Sequence, residues 1–209
     1  MINKQQILAT ILFFLINSFS YANTTESLLL LDAENAFNKI QLSLLSFSQI
    51  DSNGNNIKGL LLIDRRKKLL RIEYSEPTPL QIIVRDKKIY MYDFDLEQYT
   101  YAKHEQNLFE IFFTKNLKKL DNKLKIKKST KTLKLELFAK NLQQYITMNF
   151  SQDTTPSLLS LKIKEDSGTT IEIQINHIKY LSNIPDEFFI MNNPKIFGSP
   201  SKMDISKLK

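Results

Sequence analysis

Two hydrophobic periods divide the chain. From Thr25 to Leu45 the apolar residues Leu29, Ala33, Ala36, Phe37, Ile40 and Leu44 recur at spacings of three and four. That spacing predicts an amphipathic helix with one buried stripe. Asn23 with Glu26 offers a weak cap at its start. After Phe47 the period falls to two. Leu70, Ile72 and Tyr74 alternate with Arg71 and Glu73, and Leu80, Ile82 and Val84 follow Pro77 and Pro79. Leu133, Leu135 and Leu137 alternate with Lys134 and Glu136, and Ile146, Met148 and Phe150 with Thr147 and Asn149. Leu161 and Ile163 alternate with Lys162 and Lys164, and Ile171, Ile173 and Ile175 with Glu172, Gln174 and Asn176. Each run reads as a half-buried strand with one wet face. Turn signals separate them at Asn53-Gly54, Arg66-Lys67-Lys68, Asp86-Lys87-Lys88 and Asp166-Ser167-Gly168.

Two apolar patches break the rhythm. Gln106 to Leu117 carries Leu108, Phe109, Ile111, Phe112 and Phe113. It reads as a short helix or lid element, although periodicity alone also admits a strand. Phe188-Phe189-Ile190-Met191 lies between Pro185 and Pro194, a setting typical of edge strands. The expected fold is mainly β: one highly curved antiparallel sheet with two or three helical pieces. The sheet's apolar face needs a cover, for which the first helix and Phe109–Phe113 are the candidates.

The N-terminus stands apart from this pattern. Lys4 precedes the apolar run Ile7–Ile16, and Ser20-Tyr21-Ala22 puts small residues three before and one before a cut. This is a secretory signal pattern, with cleavage expected after Ala22. The apolar run is shorter than the ~20 residues of a spanning helix. Residues 1–22 are therefore expected to be removed, leaving 23–209 as one domain. The chain has no cysteine, so an exported form relies on its core rather than on disulfides. It also lacks the thiol on which a lipoprotein anchor is built.

The formal net charge is +7, and lysines gather between Lys115 and Lys134. Such a run suits docking to an acidic partner or to anionic lipid heads. A solvated lysine-rich surface accounts for it as well and is the default reading. No nucleic-acid module accompanies the run, and export removes that ligand, so no nucleic-acid partner is expected.

Catalytic chemistry finds little support. The two histidines are His104, in a loop, and His177, which shares the parity of Ile171, Ile173 and Ile175. That parity points His177 to the apolar face, as a ligand or as a neutral strand histidine with a hydrogen-bond partner. Asp93, Asp95 and Glu97 share a parity and could ligate a hard cation. Without a calcium-type loop they read better as the wet side of a hairpin between Tyr92 and Tyr99. No nucleophile–base pair, phosphate-binding glycine loop or cofactor motif is visible, so neither an enzyme nor a cofactor is expected. The many phenylalanines and tyrosines suit either an ordinary core or the lining of a ligand cavity.

Several short motifs, in order, carry a resemblance. Phe47-Ser48-Gln49 follows the first helix, then come Gly59, Arg65, Arg71, Tyr74 and Pro77. Val84, Asp86, Tyr92, Asp93, Leu96 and Gln98 follow, and Asp166, Gly168, Thr169, Thr170, Pro185, Phe188 and Pro194 lie near the end. Over nearly the whole mature chain this resembles the periplasmic outer-membrane lipoprotein carriers, the LolA family. The sequence departs from the family pattern at Arg66, Ile72 and Lys87. The segment from Gly59 to Arg71 is also one residue longer, so the family's arginine matches either Arg65 or Arg66.

The resemblance implies an incomplete, unclosed antiparallel β-barrel with a lid of short α-helices around an apolar cavity. It implies a monomeric periplasmic chaperone, with no cofactor, that shields the acyl chains of lipoproteins. Its partners would be acylated lipoproteins, an inner-membrane lipoprotein-releasing ABC transporter and an outer-membrane acceptor. An alternative on the same fold is a sensing adaptor for lipids or lipoproteins. The resemblance makes Arg65 the lid latch. It points to Phe47, Leu61, Ile63, Leu70, Ile72, Tyr74, Ile82, Val84, Phe109 and Phe112 as the lining of the acyl-chain cavity.

Overall fold

The computed structural model describes residues 26–50, 54–75, 78–103, 109–119, 121, 124–140, 143–153, 156–165 and 168–208. The leader, Asn23, Asn53, Pro77, His104, Leu108, Asp166 and Ser167 lie outside the described residues.

The first helix, α1, covers residues 26–39. It leads into an antiparallel sheet formed by β1 (Leu42–Ile50), β2 (Asn56–Asp64), β3 (Leu69–Tyr74), β4 (Leu80–Arg85), β5 (Lys88–Asp93) and β6 (Gln98–Lys103). A short helix α2 (Glu110–Phe113) precedes β7 (Lys125–Lys128), β8 (Thr132–Ala139), β9 (Gln144–Ser151), β10 (Leu158–Glu165) and β11 (Thr170–Tyr180). A 3₁₀ turn at Leu117–Lys119 follows α2, and beyond β11 come 3₁₀ turns at Asp186–Phe189 and Ile205–Lys207 with α3 (Pro194–Phe197) between them.

The strand order is β6-β5-β4-β3-β2-β1-β11-β10-β9-β8-β7. The two free edges are β6 and β7, and β1 pairs with β11 at the centre. The sheet is open, yet Ile89 of β5 and Ile126 of β7 pack against the same apolar cluster. Strands near opposite edges reach one core only if the sheet curls, as right-handed twist over many strands favours.

The sheet has apolar residues on both faces. The inner cluster joins Leu45, Ile63, Leu70, Leu135, Met148 and Ile163 to side chains of α1 and α2. The outer cluster joins Leu44, Leu62, Ile83 and Tyr92 to Phe188, Phe189, Met191 and Leu208. The C-terminal segment thus covers the back of β1–β5. This second cover changes three readings. The helix expected over Thr25–Leu45 stops at residue 39, and Leu44 belongs to β1. A strand start buried on both faces reads as a continuous apolar run, which periodicity cannot separate from a helix. Arg71 and Glu73 do not lie on a wet face; Arg71 is buried. Phe188 and Phe189 form a helical turn rather than an edge strand, which lets both consecutive rings reach the sheet.

Candidate functional site

Arg65 directly follows β2 and meets both inner helices. Its backbone N–H donates to the Gln41 carbonyl at 2.8 Å, which holds the residue against the α1–β1 junction. The side chain is buried, with 4% exposure. Nη1 donates to the Phe37 carbonyl at 2.6 Å, and Nη2 donates to the Thr114 carbonyl. Phe37 lies in the last turn of α1 and Thr114 directly follows α2. Carbonyls at helix C-termini keep spare acceptor capacity, even where a tightened last turn supplies one donor as Ile40 N–H does to the Phe37 carbonyl at 3.3 Å, so a planar two-pronged cation suits them. The guanidinium also lies 4.6 Å from the centre of the Phe37 ring. Burial lowers its pKa from the ordinary guanidinium range to about 10, so it keeps its charge at neutral pH. Its Nε finds no hydrogen-bond partner among the described residues. Arg66, by contrast, points outward with 53% side-chain exposure and meets Asp64 at 3.4 Å.

The residues named from sequence for a cavity lining come together. Phe47, Leu61, Ile63, Leu70, Ile72, Val84 and Phe112 are buried in the inner cluster, with Tyr74, Ile82 and Phe109 packed against it. They arise from alternate positions on β1–β4 and from the α2 region. Their cover is Leu30, Ala33, Ala36 and Phe37 of α1 with Ile111, Phe112 and Phe113 of α2. Glu34 ties the cover together further, accepting from the Leu117 N–H at 2.8 Å.

An aromatic pair spans three strands of this face. Phe47 and Tyr74 meet edge to face at 5.6 Å, with Gly59 between them in the register. A side chain at Gly59 would put its Cβ 2.5 Å from Phe47 Cζ and 2.8 Å from the Glu73 carbonyl oxygen. Glycine is what lets the ring lie across β2. The Tyr74 hydroxyl donates to Gln49 Oε1 at 3.1 Å, and burial raises its pKa.

A polar clip on the outer face escaped the sequence reading. Arg71 Nε donates to Glu73 Oε1 at 2.9 Å, and its Nη1 and Nη2 donate to the carbonyls of Phe188 and Ser201 at 3.0 and 2.9 Å. Glu73 Oε1 also accepts from Gln81 Nε2 at 3.0 Å and from the Met203 N–H at 2.9 Å. Farther along, the Tyr92 hydroxyl meets Ser199 Oγ at 3.0 Å. The clue was present: Arg71 and Glu73 share one face of β3, and Gln81 lies opposite Glu73 in the register.

One other expectation changes. His177 is exposed, because β1 and β11 slip register between Ser46 and Phe47. Ser46 pairs with His177 and Phe47 with Ile175, so Asn176 bulges and Ile178 takes the inward parity. Asp93 acts in the turn after β5, where Oδ1 accepts the N–H groups of Asp95 and Leu96 at 3.0 and 2.9 Å. Among the described residues no group of three or more acidic, histidine or cysteine side chains could hold a metal.

An open sheet with a helix-covered apolar face has many possible histories, and comparison with known proteins narrows them. The family model described as outer membrane lipoprotein carrier protein LolA matches residues 38–192. The chain belongs to the LolA family. Among LolA relatives, an outer-membrane lipoprotein carrier protein of Francisella philomiragia is 28% identical, covering 92% of this chain and 99% of its own. One of the same description from Legionella pneumophila is 27% identical, covering 78% and 84%. An uncharacterised protein of Rickettsia prowazekii is 26% identical over 99% of this chain and 96% of its own. An uncharacterised conserved protein from Thermus thermophilus shares the fold, with a TM-score of 0.53 at 10% identity, over 76% of this chain and 90% of that one.

Proposed function

We propose that this LolA-family chain is a periplasmic chaperone that carries acylated lipoproteins from the inner to the outer membrane. It would take them from a lipoprotein-releasing ABC transporter and yield them to an outer-membrane acceptor. The observation that carries the reading is Arg65, whose one side chain joins both helices that cover the inner apolar face.

Each acyl CH₂ exposed to water costs ~0.8 kcal/mol, so a chain of about 16 carbons costs on the order of 12 kcal/mol. The inner face offers aliphatic and aromatic surface on that scale. It is occupied by Phe37, Ile111, Phe112 and Phe113 from the helices, so an acyl chain must take their place. Hydrogen bonds from a charged donor contribute about 1.5–3 kcal/mol each. The desolvation of Arg65, seen in its lowered pKa, offsets part of that. A latch of a few kcal/mol closes the empty protein yet yields to an incoming acyl chain.

The test is capture of a purified triacylated lipoprotein from detergent-free membranes into a soluble complex. Stoichiometric capture that depends on the acyl chains is the expected result. Capture of the deacylated lipoprotein to the same extent, or of neither form, would sink the reading.

A further inference from the structure

The chain between the α2 cover and β8 carries nine lysines from Lys115 to Lys134, no arginine, and a single acid, Asp121. The Asp121 carboxylate accepts the Phe138 N–H at 2.9 Å, which fastens this segment to β8. Glu136 of β8 meets Lys134 at 2.6 Å and Lys127 at 3.3 Å. Those contacts, the Lys134 hydrogen bond foremost, hold its carboxyl below the usual carboxylate range. Lys115, Lys118, Lys119, Lys125, Lys128 and Lys131 are exposed, and no ion pair among the described residues reaches them.

Lysines on a free edge such as β7 also discourage strand-to-strand association. That accounts for Lys125 and Lys128 only. Lys118 and Lys119 lie on a 3₁₀ turn whose Leu117 is buried and bonded to Glu34 of α1. Lys131 lies in the β7–β8 connection. The charge therefore runs from the helical cover to the open edge of the sheet. Its chemistry suits an extended charged surface better than a fitted pocket. Ammonium groups on flexible stems act as point charges, whereas paired carboxylates on a protein favour arginine forks.

We infer that this lysine rim docks the protein on an anionic phospholipid surface, with the helical cover beside the contact. Such docking would bring the acyl site to the membrane at which cargo is taken up or released. That link to transport rests on the carrier reading. The docking itself does not.

The experiment is co-sedimentation of the full mature chain, without lipoprotein, with phosphatidylcholine vesicles that contain or lack phosphatidylglycerol. Binding is expected only with phosphatidylglycerol, and is expected to vanish in about 1 M salt, where the Debye length is about 3 Å. Each lysine at a charged membrane surface is worth about a fivefold change in affinity. The triple variant K125E/K128E/K131E should therefore lose at least about a hundredfold. The variant K58E/K87E/K195E makes the same change in net charge elsewhere and should lose far less. K118E/K119E tests the other end of the rim independently of the hairpin's folding. No binding to phosphatidylglycerol vesicles at low salt, or equal losses in the two triple variants, would overturn the inference. Vesicle binding without lipoprotein capture would keep the rim and remove the carrier reading; the reverse result would do the opposite.

Discussion

Arg65 grips Phe37 twice, donating to its carbonyl at 2.6 Å while its guanidinium lies 4.6 Å from the centre of its ring. The backbone contact fixes the end of α1, and the ring contact orients the fork so that the other nitrogen reaches Thr114. One side chain just after β2 thereby contacts the ends of both helices. Replacing Arg65 with Leu removes both hydrogen bonds and leaves an apolar side chain in an apolar site. We expect the fold to persist while closure weakens by about 2–4 kcal/mol. Hydrogen exchange at Ile111–Phe113 should accelerate relative to the β-sheet core. R65K should not restore protection, because one ammonium cannot present the two-pronged fork. Unchanged exchange in R65L would remove Arg65 from the closure of the helices.

The charge on Arg65 sets a pH window. Its pKa is about 10 in the folded chain, well below its value when free. The unfolded state binds the extra proton only between those values, so Arg65 makes stability rise with pH there and contributes no slope below it. Closure should therefore be flat from about pH 5 to 8. The chain has no tryptophan, so Phe112→Trp gives a single emission reporter beneath the cover. A marked change in its emission between pH 5 and 8 would assign closure to another titrating group.

Gly59 tests the packing of the inner face. A Cβ at this position would meet both the Phe47 ring and the Glu73 carbonyl. Gly59→Ala should cost about 1–3 kcal/mol, read as a lower denaturant midpoint at constant slope. Adding Phe47→Leu should recover only part of the loss, since the contact with the Glu73 carbonyl remains. A neutral Gly59→Ala would show that β2 has slack at this point.

The inner half of the fold was largely legible in the chain. Ile72 and Tyr74 alternate with Arg71 and Glu73, and Leu80, Ile82 and Val84 keep the period of two, so their inward parity follows directly. Phe109–Phe113 could not be settled as helix or strand, because a short apolar cluster has no period to measure. The outer half was hidden. Leu42 and Leu44 face the outer cluster while Leu45 and Phe47 face the inner one. Two covers erase alternation, and a sequence read for one wet face misassigns both the end of α1 and the setting of Arg71. His177 failed for a different reason: one bulged residue inverts the parity of everything after it. Arg65 was legible as a motif, but its partners Phe37 and Thr114 are backbone carbonyls, which leave no mark on residue type.

The outer clip yields the last prediction. Glu73 is nearly buried and receives Arg71, Gln81 and the Met203 N–H, so it holds the returning C-terminal segment against β3 and β4. Replacing Glu73 with Ala leaves Arg71 buried without its counter-ion, a loss of about 3–5 kcal/mol for a buried pair. The segment from Pro194 to Leu208 has few anchors besides this clip, Tyr92–Ser199 and the bond from Lys179 Nζ to the Leu208 carbonyl at 3.0 Å. Limited proteolysis should therefore cut E73A first within that segment, at Lys195 or Lys202, before the sheet is attacked. Replacing Arg71 and Glu73 together with Met and Leu should restore resistance, because neither charge is then stranded. Cleavage of E73A no faster than the unmodified chain would show that the apolar contacts of Met191 and Leu208 alone hold the segment in place.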